Sequence, residues 1–119
     1  NYKNEIIVLP VTEIVTENDF FDYDAKYNGK SKEITPARIS KVQLDNVNKI
    51  AKKIYTILKM KGLTRSEFIF KGNTPYFLEM NTVPGLSKES ILPKQAENAG
   101  ISLKNLFVNS IEMTLNKNN

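Results

Sequence analysis

The chain has 119 residues, with 17 lysines and arginines against 13 aspartates and glutamates, and it holds neither cysteine nor histidine. Without these two residues, disulfides, Cys/His zinc sites, thiol nucleophiles and Ser-His triads are excluded. Any metal must then be a hard cation on oxygen ligands, and proton transfer must fall to Lys, Tyr, Asp or Glu. Hydrophobic residues at 40% and charged residues at 25% fit a single folded domain of soluble type, and no apolar run approaches the ~20 residues of a membrane span.

The formal charge is +4, but the lysines are scattered (Lys52 and Lys53, Lys59 and Lys61, Lys88 and Lys94) rather than clustered among aromatics. Nucleic acid is therefore not expected as a partner. No signal peptide is visible, and a cysteine-free chain fits a reducing, cytoplasmic compartment. The first residue is Asn1 rather than Met, so a fragment or processed chain is expected.

Residues 5–15 are rich in Ile and Val and predict one strand, with Pro10 pointing to an edge or a bulge. Residues 17–38 follow neither helical nor strand period. A loop of that length in a small domain, carrying aromatics at 20, 21, 23 and 27, predicts a mobile functional segment. Residues 41–60 predict a helix with an apolar stripe of Leu44, Val47, Ile50, Ala51, Ile54, Ile57 and Leu58. Ser40 and Gln43 would form its capping box, Lys59 and Lys61 would suit its negative end, and Gly62 would terminate it.

Residues 65–71 and 75–82 alternate in polarity around Gly72-Asn73 and predict a hairpin. Pro93 would then open a short helix closed by Gly100. Ser102 would cap a last helix with Leu103, Leu106, Phe107, Ser110, Ile111 and Leu115 on its inner face. The element order predicts an α+β fold, a small antiparallel sheet covered by helices.

The hairpin carries the chemically informative residues. A three-residue connection, Gly72-Asn73-Thr74, would set Glu67 opposite Glu79 and Arg65 opposite Asn81. A two-residue turn would shift the pairing by one and send the two carboxylates to opposite faces. Facing glutamates repel across a ladder unless a cation lies nearby. Glu67, Glu79 and the Asn81 amide oxygen form a hard-oxygen set suited to Mg²⁺. The competing reading is a pair of solvated glutamates on an open sheet face.

The run Phe77-Leu78-Glu79-Met80-Asn81-Thr82-Val83-Pro84-Gly85, preceded by Arg65-Ser66-Glu67 and followed by Ser90, resembles the metal-binding segment of D-alanine–D-alanine ligases, members of the ATP-grasp superfamily. Glu67 stands where that family usually has Asp. The segment Asp22-Tyr23-Asp24-Ala25-Lys26-Tyr27 resembles the family's mobile loop, with Phe21 and Asp24 in place of Tyr and Glu, and Pro36-Ala37 closes it. The likeness covers essentially the whole chain, 1–119. It implies the carboxy-terminal lobe of an ATP-grasp fold, with 17–38 as the active-site loop.

The resemblance implies ATP-dependent joining of two D-alanines through an acyl phosphate, for peptidoglycan synthesis. Glu67, Glu79 and Asn81 would hold Mg²⁺ or Mn²⁺ against the nucleotide phosphates, with Lys26 also on phosphate. Arg65 and the Gly85 amide would stabilise the acyl phosphate and oxyanion. Ser90 and the backbone near Ile91, helped by Lys26, would take the second substrate's carboxylate. Tyr27 would pin the closed loop and favours dipeptide over ester product. The family's amino-terminal and central lobes do not fit in this length, so the chain alone is expected to be inactive. A surface meant for those lobes leaves a homodimer or swapped form open. Another ATP-grasp carboxylate–amine ligase, a basic nucleic-acid-binding module and a purely structural domain remain the alternatives.

Overall fold

The structure, a computed structural model, describes residues 1–16 and 31–116. Its described elements are β1 (Glu13–Thr16), β2 (Ser31–Ile34), α1 (Lys41–Ile57), β3 (Arg65–Lys71), β4 (Thr74–Asn81), α2 (Ile91–Asn98) and α3 (Leu103–Leu115). The class is α+β as expected, but the strands form two antiparallel pairs, β1–β2 and β3–β4, rather than one sheet.

The strand expected over 5–15 is shorter, because only Glu13–Thr16 enters a ladder. Pro10 lacks the amide hydrogen a ladder needs, and the residues on either side of it stay outside one. The segment read as loop over 17–38 contains a strand instead. Ser31–Ile34 returns along β1, with Glu13 paired to Ile34 and Thr16 to Ser31. The run Ser-Lys-Glu-Ile has little apolar alternation of its own, so the tertiary pairing overrides weak local propensity. Below this pair, Ala37 N–H donates to the Val11 carbonyl at 2.7 Å, and the hydroxyls of Thr12 and Thr35 bond each other.

Helix α1 begins as its sequence dictates. The Ser40 hydroxyl accepts from the Gln43 amide at 3.1 Å, and Gln43 Oε1 accepts from the Ser40 amide at 3.0 Å. It ends earlier than expected. Leu58 is the C-cap and Lys59 itself turns left-handed at φ +53°, so Gly62 (φ +67°) lies beyond the helix and no basic residue occupies its last turn. The buried stripe differs too. Val47 and Tyr55 are buried, while Ile57 and Leu58 are exposed. Tyr55 lies outside the predicted apolar stripe but is buried, because its hydroxyl finds a partner in the Gly62 carbonyl, to which it donates at 2.8 Å.

Leu92, Ala96 and Leu106, from α2 and α3, make the tightest core, with Leu9, Leu63, Leu86, Ile101 and Leu103 packed around them. Pro93 sits third in α2 rather than first, a position where the missing amide hydrogen costs no intrahelical bond. Gly100 follows at φ +80°. The inner face of α3 is narrower than predicted: Leu106 and Asn109 are buried, whereas Phe107, Ile111 and Leu115 are exposed. Asn109 displaces them because it accepts the Lys3 amide at 2.9 Å and donates to the Asn1 carbonyl at 3.1 Å, tying the first residues to α3. No described helix is long and apolar enough to cross a membrane.

Candidate functional site

The β3–β4 turn has two residues, with Lys71 facing Thr74 and Gly72 taking φ +60° at the first central position, where II′ hairpins place glycine. Continued regularly, that register would set Glu67 against Leu78. A bulge between the Phe68–Phe77 and Glu67–Glu79 pairs absorbs Leu78 as an extra residue. Glu67 therefore faces Glu79, and Arg65 faces Asn81. The expected pairing is present, although its route is corrected: the bulge supplies it, not a three-residue turn. The consecutive apolar pair Phe77-Leu78, breaking the alternation of β4, is the sequence signal that could have revealed it.

Helix α1 fixes the far end of this hairpin. Gln43 Nε2 donates to the Gly72 carbonyl and Asn46 Nδ2 to the Asn73 carbonyl, both at 2.9 Å. Phe68 and Phe77 meet across the strands with ring centroids 5.7 Å apart. The turn and the aromatic pair brace the segment that ends at Glu79 and Asn81.

On the shared face, Arg65 Nη2 donates to Glu67 Oε1 at 3.0 Å, with the two side chains only 19% and 29% exposed. Arg65 Nε is buried and has no acceptor among the described residues. A buried guanidinium donor without a partner is costly, which makes this edge of the site suited to an anion. Asn81 Oδ1 accepts the Val83 amide at 3.0 Å and keeps a second lone pair open.

One guanidinium against two carboxylates leaves the face one negative charge in surplus, as a divalent cation with additional oxygen ligands would require. Among the described residues no three Asp or Glu side chains gather as a metal cage. A cation here would thus take Glu67, Glu79 and Asn81 together with oxygens of its ligand and of water.

Arg65, Glu67, Glu79 and Ile91 line one cleft of about 880 Å³, walled largely by apolar side chains such as Leu9, Ile14, Leu63 and Leu106. Asn81, Gly85 and Ser90 are not in its lining. Gly85 and Ser90 form a second small group at the start of α2, where a β-carbon on residue 85 would stand 2.7 Å from Ser90 Oγ. Close approach, not a left-handed backbone, is why glycine is needed there. Ser90 Oγ in turn lies 2.7 Å from Ser87 Oγ, a contact not anticipated from sequence; its only trace is the Ser-x-x-Ser spacing. Lys26 and Tyr27 lie outside the described residues.

Two groups of charge pairs lie among the described residues around β1, β2 and the start of α2. Arg38 donates through its backbone amide, Nε and Nη2 to the Glu13 carboxylate at 3.0, 3.1 and 2.8 Å. The guanidinium hydrogen bonds hold the Glu13 carboxyl below, and raise the Arg38 group above, their ordinary pKa values. Lys94 on α2 reaches Glu89 at 3.6 Å and Glu33 of β2 at 4.0 Å.

An α+β lobe that presents paired carboxylates, an arginine and an amide oxygen on one hairpin face, beside a cleft, has the outline of a cation- and anion-binding lobe. The sequence model of the family described as D-ala D-ala ligase C-terminus matches residues 2–112, and the chain belongs to this family. It is 64% identical over 115 residues to the D-alanine–D-alanine ligase of Flavobacterium johnsoniae, which covers 97% of the chain and 36% of that relative. It is 61% identical over 116 residues to that of Christiangramia forsetii, covering 98% and 36% respectively.

Among solved structures, it resembles the D-alanine–D-alanine ligase of Bacillus anthracis with a TM-score of 0.76 at 35% identity, covering 91% of the chain and 36% of that structure. The same enzyme complexed with ATP gives a TM-score of 0.75. The chain thus spans about 36% of the length of these relatives.

Proposed function

We propose that the chain is the metal- and acceptor-binding lobe of a cytoplasmic, ATP-dependent D-alanine–D-alanine ligase that supplies D-alanyl-D-alanine for peptidoglycan. The observation that carries this reading is the pairing of Glu67 with Glu79 and of Arg65 with Asn81 on one hairpin face, in a chain of this family. In the reaction, the carboxylate of one D-alanine attacks the γ-phosphorus of ATP, ADP leaves, and the amine of a second D-alanine displaces phosphate from the acyl phosphate.

Glu67, Glu79 and Asn81 would hold Mg²⁺ or Mn²⁺, which supplies positive charge against the triphosphate. Arg65, anchored by Glu67 and with Nε still unpartnered, is poised to neutralise charge on the transferring phosphoryl group and the tetrahedral oxyanion. The Gly85 amide adds a second donor to that oxyanion. Ser90 Oγ and the backbone at Ile91 bind the acceptor's carboxylate at the start of α2, where helix amides favour an anion. Lys26 assists at phosphate and carboxylate, and Tyr27 holds the loop shut so that water does not consume the acyl phosphate.

The adenine-clasping and donor-binding parts belong to other regions of the full-length enzyme, so the chain alone would not turn over. Exposed Phe107, Ile111 and Leu115 keep self-association open, which sedimentation at several concentrations decides. The functional test is ADP release by the full-length protein with ATP, Mg²⁺ and D-alanine, run beside D-lactate, D-serine and L-amino acids. Dipeptide formation specific to D-alanine is the expected result; activity only with another carboxylate and amine would replace this reading with a different ATP-grasp ligase.

A further inference from the structure

Three serines open the three described helices with nearly the same backbone: Ser40 (φ −69°, ψ 161°), Ser90 (φ −75°, ψ 158°) and Ser102 (φ −73°, ψ 157°). Two of them cap in the usual way, Ser40 Oγ accepting from the Gln43 amide and Ser102 Oγ from the Asn105 amide, both at 3.1 Å. Ser90 does not cap its helix. The third residue of α2 is Pro93, which offers no amide hydrogen. The Ser90 hydroxyl instead bonds Ser87 Oγ at 2.7 Å, and its own amide donates to the Ser87 carbonyl at 2.9 Å. From the other side, the space that a β-carbon on residue 85 would fill lies 2.7 Å from the same hydroxyl. Ser90 Oγ is therefore held between Ser87 and Gly85, and the Ile91 and Leu92 amides of the first turn keep no side-chain cap.

We propose that Ser87 is a positioning residue for acceptor binding. It holds the Ser90 hydroxyl off the helix, so that hydroxyl and first-turn amides together face an incoming carboxylate rather than satisfying one another. The inference rests on the assignment of Ser90 to the acceptor carboxylate above. Ser87 is exposed at the surface, so its replacement leaves the fold intact, and no catalytic contact is assigned to it. Without Ser87, Ser90 Oγ is free to rotate to the Leu92 amide, the capping donor that α2 retains because Pro93 takes the third position used at the other two helices, and must be pulled away again on binding.

In the full-length ligase, Ser87→Ala should raise KM for the acceptor D-alanine about fivefold, the equivalent of about one neutral hydrogen bond. The KM for ATP, kcat and the melting temperature should not move, and Ser87→Thr should restore the acceptor KM. An unchanged acceptor KM in Ser87→Ala overturns the inference, as does an equal loss in kcat and both KM values that Thr does not rescue. The unsubstituted enzyme is assayed alongside; if it releases no ADP with D-alanine, the functional reading fails and the positioning is judged on this chain by amide hydrogen exchange. There, Ser87→Ala should slow exchange at Leu92 several-fold as the freed hydroxyl caps it, and unchanged exchange overturns the inference independently of any activity.

Discussion

Glu67 and Glu79 face each other across β3 and β4 because one residue, Leu78, is bulged out of a hairpin whose two-residue turn would otherwise have paired Glu67 with Leu78. The acidic face is thus built by two local features acting together, a glycine-led turn and a bulge four residues further along the strand. Neither feature alone brings the carboxylates together.

The two carboxylates should respond differently to substitution in the full-length enzyme. Glu79 is exposed, with no partner among the described residues, whereas Glu67 also anchors Arg65 at 3.0 Å. Glu79→Gln removes charge from the proposed cation site alone and should lower kcat/KM about 100-fold or more, with a weaker apparent Mg²⁺ affinity. Glu67→Ala should cost at least as much, because it also frees Arg65. Glu67→Asp keeps the charge on a side chain one methylene shorter and should stay within about tenfold of the parent. Magnesium titrations of ADP release distinguish these outcomes; a Glu79→Gln enzyme with parental Mg²⁺ dependence would remove Glu79 from the metal site.

Much of this site was legible in the sequence, and the reasons are local. Ser40 and Gln43 announce α1, the glycine at 72 announces the turn, and the period of two puts Arg65 with Glu67, and Glu79 with Asn81, on one face of each strand; that the two faces coincide depends on the bulge at Leu78. The rest depends on contacts between distant segments. The strand at Ser31–Ile34 exists through its partner β1. Burial of Asn109 in place of Phe107 and Ile111 follows from hydrogen bonds to Lys3 and Asn1, 106 and 108 residues away. Periodicity ranks side chains by polarity and has no access to such partners.

Gly85 and Ser90 should be energetically coupled. A β-carbon at residue 85 would sit 2.7 Å from Ser90 Oγ and 3.3 Å from Ser90 Cβ, well inside ordinary contact. Gly85→Ala should therefore destabilise the chain by about 1–2 kcal/mol, the usual scale of local overpacking. In Gly85→Ala/Ser90→Ala the nearer clash is gone, so the double variant should regain about half of that loss. Thermal melts of the four species complete the cycle. Strict additivity would mean that the backbone relaxes to admit the methyl group without touching Ser90.

The clasp between α1 and the hairpin tip should be measurable as stability. Gln43 and Asn46 each donate to a turn carbonyl at 2.9 Å, from exposed positions. Asn46→Ala removes one such bond and should cost about 0.5–1 kcal/mol, the low end for a neutral hydrogen bond with water as the alternative partner. Gln43→Ala should cost more, since the same side chain completes the capping box at Ser40. Urea unfolding with an unchanged m-value would show that both losses are in native contacts. Equal effects from the two substitutions would contradict the double duty of Gln43.

The Glu13–Arg38 pair should make stability depend on acidity in one direction. Arg38, chiefly by side-chain hydrogen bonding, lowers the Glu13 pKa from its ordinary value of 4.5. A carboxyl with a depressed folded-state pKa stabilises the fold above its unfolded value, and that contribution fades as pH falls through the folded value. The melting temperature of the unsubstituted chain should thus exceed that of Glu13→Gln at pH 6 to 7, and the gap should narrow steadily below about pH 4.5. Because the pair is at the surface, 1 M salt should shrink the gap at neutral pH as well, since screening there acts within ~3 Å. A gap that is independent of both pH and salt would mean that Glu13 acts through neutral hydrogen bonding to the Arg38 amide, which glutamine reproduces only in part, and not through charge.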